Sequence, residues 1–396
     1  MTIQITNHYQ ALTEIDAIQY ALEKNLLEAN QDYTCKEIGD GNLNLVFHIT
    51  PTTGGTGIIL KQALPYAKVV GESWPLTLER AYIEASALQW QATFVPTLVP
   101  KVFHIDKQLA ITVLEDLSNL TILRTGLLNG NTYPKVGKDI GTFLAETLYH
   151  TSDYALHPFE KKKQVKRFSN PELCKITEDL VFTDPFFDSE TNNFEVELKE
   201  QVESIWANDL LKLEVAKLKK QFLTETEALL HGDLHTGSVF VNENRTIVID
   251  PEFAFYGPIG FDIGQVFANL LFAYLHHPEK IDRLQTLQEV WETYYQSFTD
   301  LWNKGTEDPY TKVEGYLPFT LTKHWEDALG FAGCEAIRRT IGLAHVADLD
   351  SIKNQNQRIH AKLVSLKIGQ RLILERKSIT SIQELLSLIH QEVSTV

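Results

Sequence analysis

The segment HGDLHTGS, residues 231–238, sets an aspartate in a turn of small and polar residues. Two short apolar runs follow, VFV at 239–241 and TIVI at 246–249, and DPE at 250–252 closes the stretch. Read as a hairpin across NENR at 242–245, the two runs would hold Asp233 on one side and Asp250 and Glu252 on the other, at a fixed separation. That pattern suits phosphoryl transfer. One carboxylate orients an attacking hydroxyl or takes its proton, and the later acids coordinate a Mg²⁺ ion that bridges phosphates. A lone aspartate in such a turn would normally only cap it; the ordered set of three acids around a hairpin carries the chemical reading.

Other residue types point the same way. Lys61 lies in the otherwise apolar run GIILKQAL, and a lysine drawn inward needs an acidic partner. The next helix offers Glu84, on its inward stripe, with Glu79 as the alternative; such a pair would hold the ammonium toward the α- and β-phosphates of ATP. A solvent-facing lysine is the plain alternative. Glycines 39 and 41 in EIGDGNLNLVF allow backbone N–H groups close to a phosphate, although by themselves they favour a ligand-free hairpin turn. VLEDL at 113–117 ends a strand and begins the crossing to the next lobe, and backbone groups left unpaired along an extended crossing suit the edge of an adenine, an ordinary strand end being the plain alternative. Arg338 and Arg339 are adjacent on an apolar helix, so they point about 100° apart and at least one must face inward. Pairing with Glu335 or with solvent is the competing account.

These residues need elements to position them. Ile15, Ile18, Ala21, Leu22 and Leu26 have helical spacing, residues 34–63 alternate as three antiparallel strands, SWPLTLERAYIEASALQWQ carries a helical stripe, and VPKVFHID and LAITVLEDL read as two more strands. Helical patterns cover 137–150, 194–229, 262–275, 281–303, 322–345 and 356–396, and the polar, proline-containing stretch 157–193 reads as a connection or insertion between helices. The fold class expected is α+β and bilobal, protein-kinase-like: a small β-rich N-terminal lobe with one long helix at 1–117, and a larger helical lobe with the catalytic and metal motifs at 118–396.

Charge and composition exclude several partners. The 396-residue chain has 36 basic and 52 acidic residues, a net charge of −16, which argues against nucleic acid and anionic membrane surfaces. Cys35, Cys174 and Cys334 lack metal or redox spacing, and neither a leader pattern nor a membrane-length apolar run is present, so a cytoplasmic setting is expected.

On these motifs the chain resembles the small-molecule branch of the protein-kinase-like superfamily, the aminoglycoside phosphotransferase and choline kinase type. Within that branch it is most similar to the methylthioribose kinases. The resemblance implies Asp233 as catalytic base and sugar contact, Asp250 and Glu252 as metal ligands, and Asn44, Lys61 and the 250–252 run, Pro251 included, at the nucleotide. It further implies Glu115 to Leu117 as adenine hinge, Glu84 and Asp262 as structural supports, and Arg338, Arg339 and Trp74 at the sugar. The cofactors it implies are ATP and Mg²⁺. The reaction implied is phosphorylation of the 1-hydroxyl of 5-methylthioribose for methionine salvage, by a homodimer. Two departures stand out: Ser238 occupies the place of a metal-binding asparagine, and the metal motif is D-P-E, so that Glu252 would supply the missing oxygen.

Three rivals are weighed against this reading. An aminoglycoside or choline kinase would share the ATP motifs, but its cationic substrate is ill served by two arginines. A non-catalytic nucleotide-binding scaffold is disfavoured by the full set Lys61, Asp233, Asp250 and Glu252. A protein kinase is disfavoured because no A-P-E segment follows Asp250.

Overall fold

The computed structural model describes residues 9–38, 43–67, 71–305 and 308–395. The chain forms two compact units, Met1–Leu120 with Ile247–Phe253, and Thr121–Thr246 with Ala254–Val396. The first unit therefore takes the D-P-E run that sequence had assigned to the helical lobe. The reason is local bonding: Val248 N donates to Leu98 O at 2.7 Å, and the acids of the run pair with first-unit side chains described below.

The first unit is built on an antiparallel sheet of β1 (Tyr33–Glu37), β2 (Asn44–Pro51), β3 (Ile58–Ala63), β6 (Val102–Asp106) and β7 (Ile111–Glu115), in the order β1-β2-β3-β7-β6. A short hairpin, β4 (Tyr66–Ala67) and β5 (Gly71–Pro75), intervenes in the chain. Because strand side chains alternate between faces, register decides what meets what. Phe47, Leu60 and Val113 share one face and bury against Ala17, Tyr20 and Ala21 of α1 (Glu14–Glu23). Val46, Lys61 and Thr112 share the other, toward α2 (Glu79–Gln91). The glycine turn at 39–41 lies outside the described residues.

In the second unit β8 (Thr121–Ile122) leads into α3 (Leu123–Leu128) and α4 (Val136–His150). The stretch expected as a connection holds two helices, α5 (Pro158–Arg167) and α6 (Pro171–Phe182). Both prolines stand at a first helical position, where the missing N–H costs nothing; reading them as loop markers was the error. The single run expected at 194–229 is α7 (Lys199–Ala207), α8 (Asp209–Thr224) and the strand β9 (Ala228–Leu229). Asn208 breaks it, its side chain capping α8 by accepting from Leu211 N at 3.0 Å. Next come β10 (Val239–Val241), which pairs with β8, then β11 (Thr246–Val248), within which the chain passes to the first unit, and β12 (Tyr256–Gly257) after its return. The remaining helices are α9 (Gly260–His276), α10 (Asp282–Lys304), α11 (Tyr316–Ile341), α12 (Ala347–Asp350), α13 (Gln355–Glu375) and α14 (Ile382–Thr395), so the 356–396 run is two helices. No helix among the described residues is long and apolar enough to cross a membrane.

The packing of α9 on α11 matters most for the site, because α9 carries Asp262 and α11 the arginine pair. The helices approach so closely at Gly264 that a Cβ there would lie 2.6 Å from Ala328 O and 2.8 Å from Ala332 N. Both neighbours are backbone and cannot rotate away. Gly264→Ala is expected to destabilise the fold by about 1–3 kcal/mol through overpacking, read as a lower denaturant midpoint; an unchanged midpoint would mean that the helices slide apart freely.

Candidate active site

In the first unit, Lys61 Nζ donates to Glu84 Oε1 at 3.0 Å and makes a short contact with Asp250 Oδ1. Glu79, the alternative partner, stays exposed. Glu252 accepts from Asn44 Nδ2 at 2.9 Å and lies 3.7 Å from Arg80 Nε. Arg80 is fully buried and also donates to Leu64 O, Thr77 O, Leu43 O and Asn44 Oδ1, at 2.7–3.1 Å. The Asn44 amide is thus committed at both ends. Its position fits holding Glu252 in place, and the phosphate contact that the resemblance implies would require a bond to be exchanged.

Glu84, Asp250 and Glu252 bring carboxylate oxygens within 4.8 Å of one another. Burial opposes the charge on Lys61, but Asp250, Glu84 and Glu252 outweigh it and hold its pKa above the ordinary value. Burial pushes the Glu84 and Glu252 carboxyls up despite Lys61, with Asp250 and Glu252 adding at Glu84 and Asp250 at Glu252. Three crowded acids around one lysine leave an excess of negative charge, and a hard divalent cation with oxygen ligands would relieve it. The donor set fits Mg²⁺. Asp250 is the accessible member, its side chain 40% exposed. Its φ of 68° is left-handed, a conformation that costs a non-glycine residue about 1–3 kcal/mol and tends to collect at functional sites.

At the strand end, Asp116 turns its carboxylate inward, accepting from Gly57 N at 3.0 Å and Ser118 N at 2.9 Å, with His48 Nε2 at 2.9 Å. Only its backbone is left for a ligand. Glu115 N donates to Lys101 O, and Leu117 is buried. Trp74 falls in β5, and its side chain lies outside the described residues.

The second unit holds Asp233. Its loop leaves β9 through His231 and Gly232, where a φ of 84° calls for glycine. Asp262 in the first turn of α9 accepts from His231 N at 2.6 Å and Gly232 N at 3.0 Å, and Gln265 one turn on accepts from Leu234 N at 2.8 Å. Asp262→Ala is expected to leave the buried N–H groups of His231 and Gly232 without an acceptor and cost about 3 kcal/mol of stability, measured by urea unfolding. A loss under about 1 kcal/mol would show that water replaces the carboxylate.

Both arginines of α11 face inward, toward Asp233. Arg339 Nη2 is 3.5 Å and Arg338 Nη2 3.8 Å from Asp233 Oδ1. The pairing with Glu335 occurs as well: it accepts from Arg338 Nε at 2.5 Å and Arg339 Nε at 2.8 Å, at helical spacings of three and four. Burial alone would raise the Glu335 carboxyl; Arg338 and Arg339 outweigh it and hold the pKa below the usual value. One buried carboxylate therefore sets the direction of both guanidinium groups.

The profile of the phosphotransferase enzyme family matches residues 34–299. A methylthioribose kinase of Geobacillus sp. (strain WCH70) is 55% identical over 387 residues, 97% of this chain and 97% of its own. The chain belongs to the phosphotransferase enzyme family, in its methylthioribose kinase group. A methylthioribose kinase of Bacillus pumilus (strain SAFR-032) is 48% identical, covering 99% of each chain. Among solved structures, an ethanolamine kinase of Plasmodium vivax superposes with a TM-score of 0.49 at 14% identity, over 90% of this chain and 87% of that one.

For a member of this family, sequence reasoning overlooked several residues around the candidate site. Arg80 could have been found, since it lies four before Glu84 on one helix face. Gln265, three after Asp262, was accessible in the same way. Arg124 was not: it lies 3.0 Å from Asp348 Oδ2 and donates to Asn269 Oδ1 at 2.8 Å, partners 224 and 145 residues away that no local pattern announces.

Proposed function

We propose that this chain transfers the γ-phosphoryl group of ATP to the 1-hydroxyl of 5-methylthioribose, giving 5-methylthioribose 1-phosphate and ADP. The observation that carries the reading is Asp233 with two arginines directed at one of its oxygens, in a chain whose full-length relatives are methylthioribose kinases. Asp233 accepts the proton of the 1-hydroxyl as that oxygen bonds to the γ-phosphorus and the bond to the ADP oxygen breaks. Arg338 and Arg339 hold sugar hydroxyls and meet the charge that grows on the phosphoryl oxygens. Lys61, aligned by Glu84, contacts the phosphates, and the backbone of Glu115 to Leu117 receives the adenine. Mg²⁺ would be held by Asp250 and Glu252, flanking Pro251, and would supply charge neutralisation at the phosphates.

A coupled assay of ADP release with methylthioribose, choline and an aminoglycoside tests the substrate: turnover is expected with methylthioribose alone, and turnover with either cation instead would overturn the reading. Glu252→Gln is expected to raise the Mg²⁺ concentration for half-maximal activity; an unchanged Mg²⁺ dependence would take Glu252 out of the metal set. We further read the protein as a cytoplasmic homodimer. None of the three cysteines forms a disulfide, which suits a reducing compartment. Light scattering on the purified chain tests the dimer.

A further inference from the structure

His235, two residues beyond the proposed base, places Nε2 3.4 Å from Asp233 Oδ2 and Nδ1 3.1 Å from Ser238 Oγ. Ser238 Oγ lies equally near Asp233 O, at 3.1 Å, and a serine has one hydrogen to give. Two arrangements follow. If the serine donates to Asp233 O, Nδ1 must carry the imidazole hydrogen and donate to the serine oxygen. Nε2 then presents a lone pair to a carboxylate, which is repulsive. If the serine donates to Nδ1, Nε2 carries the hydrogen, with Asp233 Oδ2 3.4 Å away. The second arrangement leaves nothing unsatisfied, because Asp233 O already accepts from His235 N at 3.1 Å.

We infer that Ser238 and His235 are positioning residues for the base: the Ser238 hydroxyl donates to Nδ1 and fixes the tautomer that places Nε2–H, rather than a lone pair, beside Asp233 Oδ2. The inference rests on Asp233 being the base of the reaction proposed above. It divides the carboxylate between two sets of donors. Oδ1 faces Arg338 and Arg339, and Oδ2 faces a neutral imidazole. At 3.4 Å the Nε2 contact is long for a hydrogen bond. It orients the carboxylate without holding its proton-accepting electrons as tightly as a third cation would. Burial, with Arg124 and Arg339 adding, keeps the imidazole pKa well below its usual value, so that only neutral tautomers compete. Ser238 is itself buried, which suits a fixed donor. Its hydroxyl, at the place where the wider branch has a metal-binding asparagine, is engaged within the loop.

Nitrogen-15 NMR of the full-length protein with labelled histidine reads the tautomer directly, assigned by loss of the signal in a His235 variant. The wild type is expected to show protonated Nε2 and bare Nδ1, and Ser238→Ala a mixture of the two tautomers. Kinetics give a second readout. The amide nitrogen of glutamine can reproduce the Nε2 donor, whereas that of asparagine reaches only the Nδ1 position. His235→Asn should therefore lose at least tenfold more kcat than His235→Gln, on the scale of the ~10²-fold effects of small misplacements, with KM for ATP unchanged in both. A protonated Nδ1 in the wild type, or equal losses in the two variants, would overturn the inference. Should either variant fail to fold, the wild-type spectrum alone decides. If the wild type fails to phosphorylate methylthioribose, the substrate reading falls, while the spectrum still reports on the tautomer.

Discussion

Asp233→Asn is expected to lower kcat for methylthioribose by about 10²- to 10⁴-fold and to leave KM for ATP nearly unchanged. Asparagine matches aspartate in size, so the loop held by Asp262 and Gln265 keeps its shape. It can accept neither a proton nor the full attraction of Arg338 and Arg339. The chemical step loses its base, whereas the groups assigned to the nucleotide belong to the other unit of the chain. Steady-state kinetics with ATP and methylthioribose varied separately test this, with a melting curve to exclude unfolding. Turnover near that of the unmodified protein would remove Asp233 as the base.

The second large effect concerns Arg339, the nearer of the two arginines to Asp233. Arg339→Met retains the length of the side chain but removes donors that strengthen as charge grows on the phosphoryl group. A charge-assisted hydrogen bond in a buried site contributes about 1.5–3 kcal/mol, so kcat/KM for methylthioribose should fall by about 10- to 100-fold. Glu335 keeps Arg338 as a partner in this variant, so the buried carboxylate is not abandoned. A cationic acceptor gives the opposite sign: removing a positive charge would leave its binding unchanged or improved. Both acceptors should be measured with the same preparation. Undiminished methylthioribose kinetics would mean that the arginine serves Glu335 alone.

Much of this was legible in the residues themselves. Lys61 announced itself as the one cation in an apolar strand, and the alternation of its neighbours put it opposite Leu60, on the face toward α2. Local chemistry also marked Asp233, Asp250 and Glu252, since turn and hairpin signals are short-range. Arg338 and Arg339 were conspicuous in an apolar helix, yet their joint hold by Glu335 was weighed only as an alternative to a site role. The structure has the Glu335 pairing together with an approach to Asp233, because i,i+3 and i,i+4 pairs converge on one carboxylate. The stretch 157–193 was misread because proline opens helices as readily as it ends them. Contacts such as Arg124 with Asp348 depend on the completed packing. The tautomer of His235 required the distances to Ser238 and Asp233, which no spacing rule supplies.

The return of Ile247–Phe253 to the first unit means that the chain passes between units at three places, after residues 120, 246 and 253. Cutting once cannot yield two self-sufficient halves. A fragment ending at Leu120 would keep Lys61, Asn44 and Arg80 while losing Asp250 and Glu252, leaving Lys61 with Glu84 alone and the Asn44 amide nitrogen without its carboxylate. Neither unit can then be inherited, swapped or borrowed as a contiguous stretch of gene. A change confined to one unit must come by substitution within the chain, with the seven-residue insert left in place.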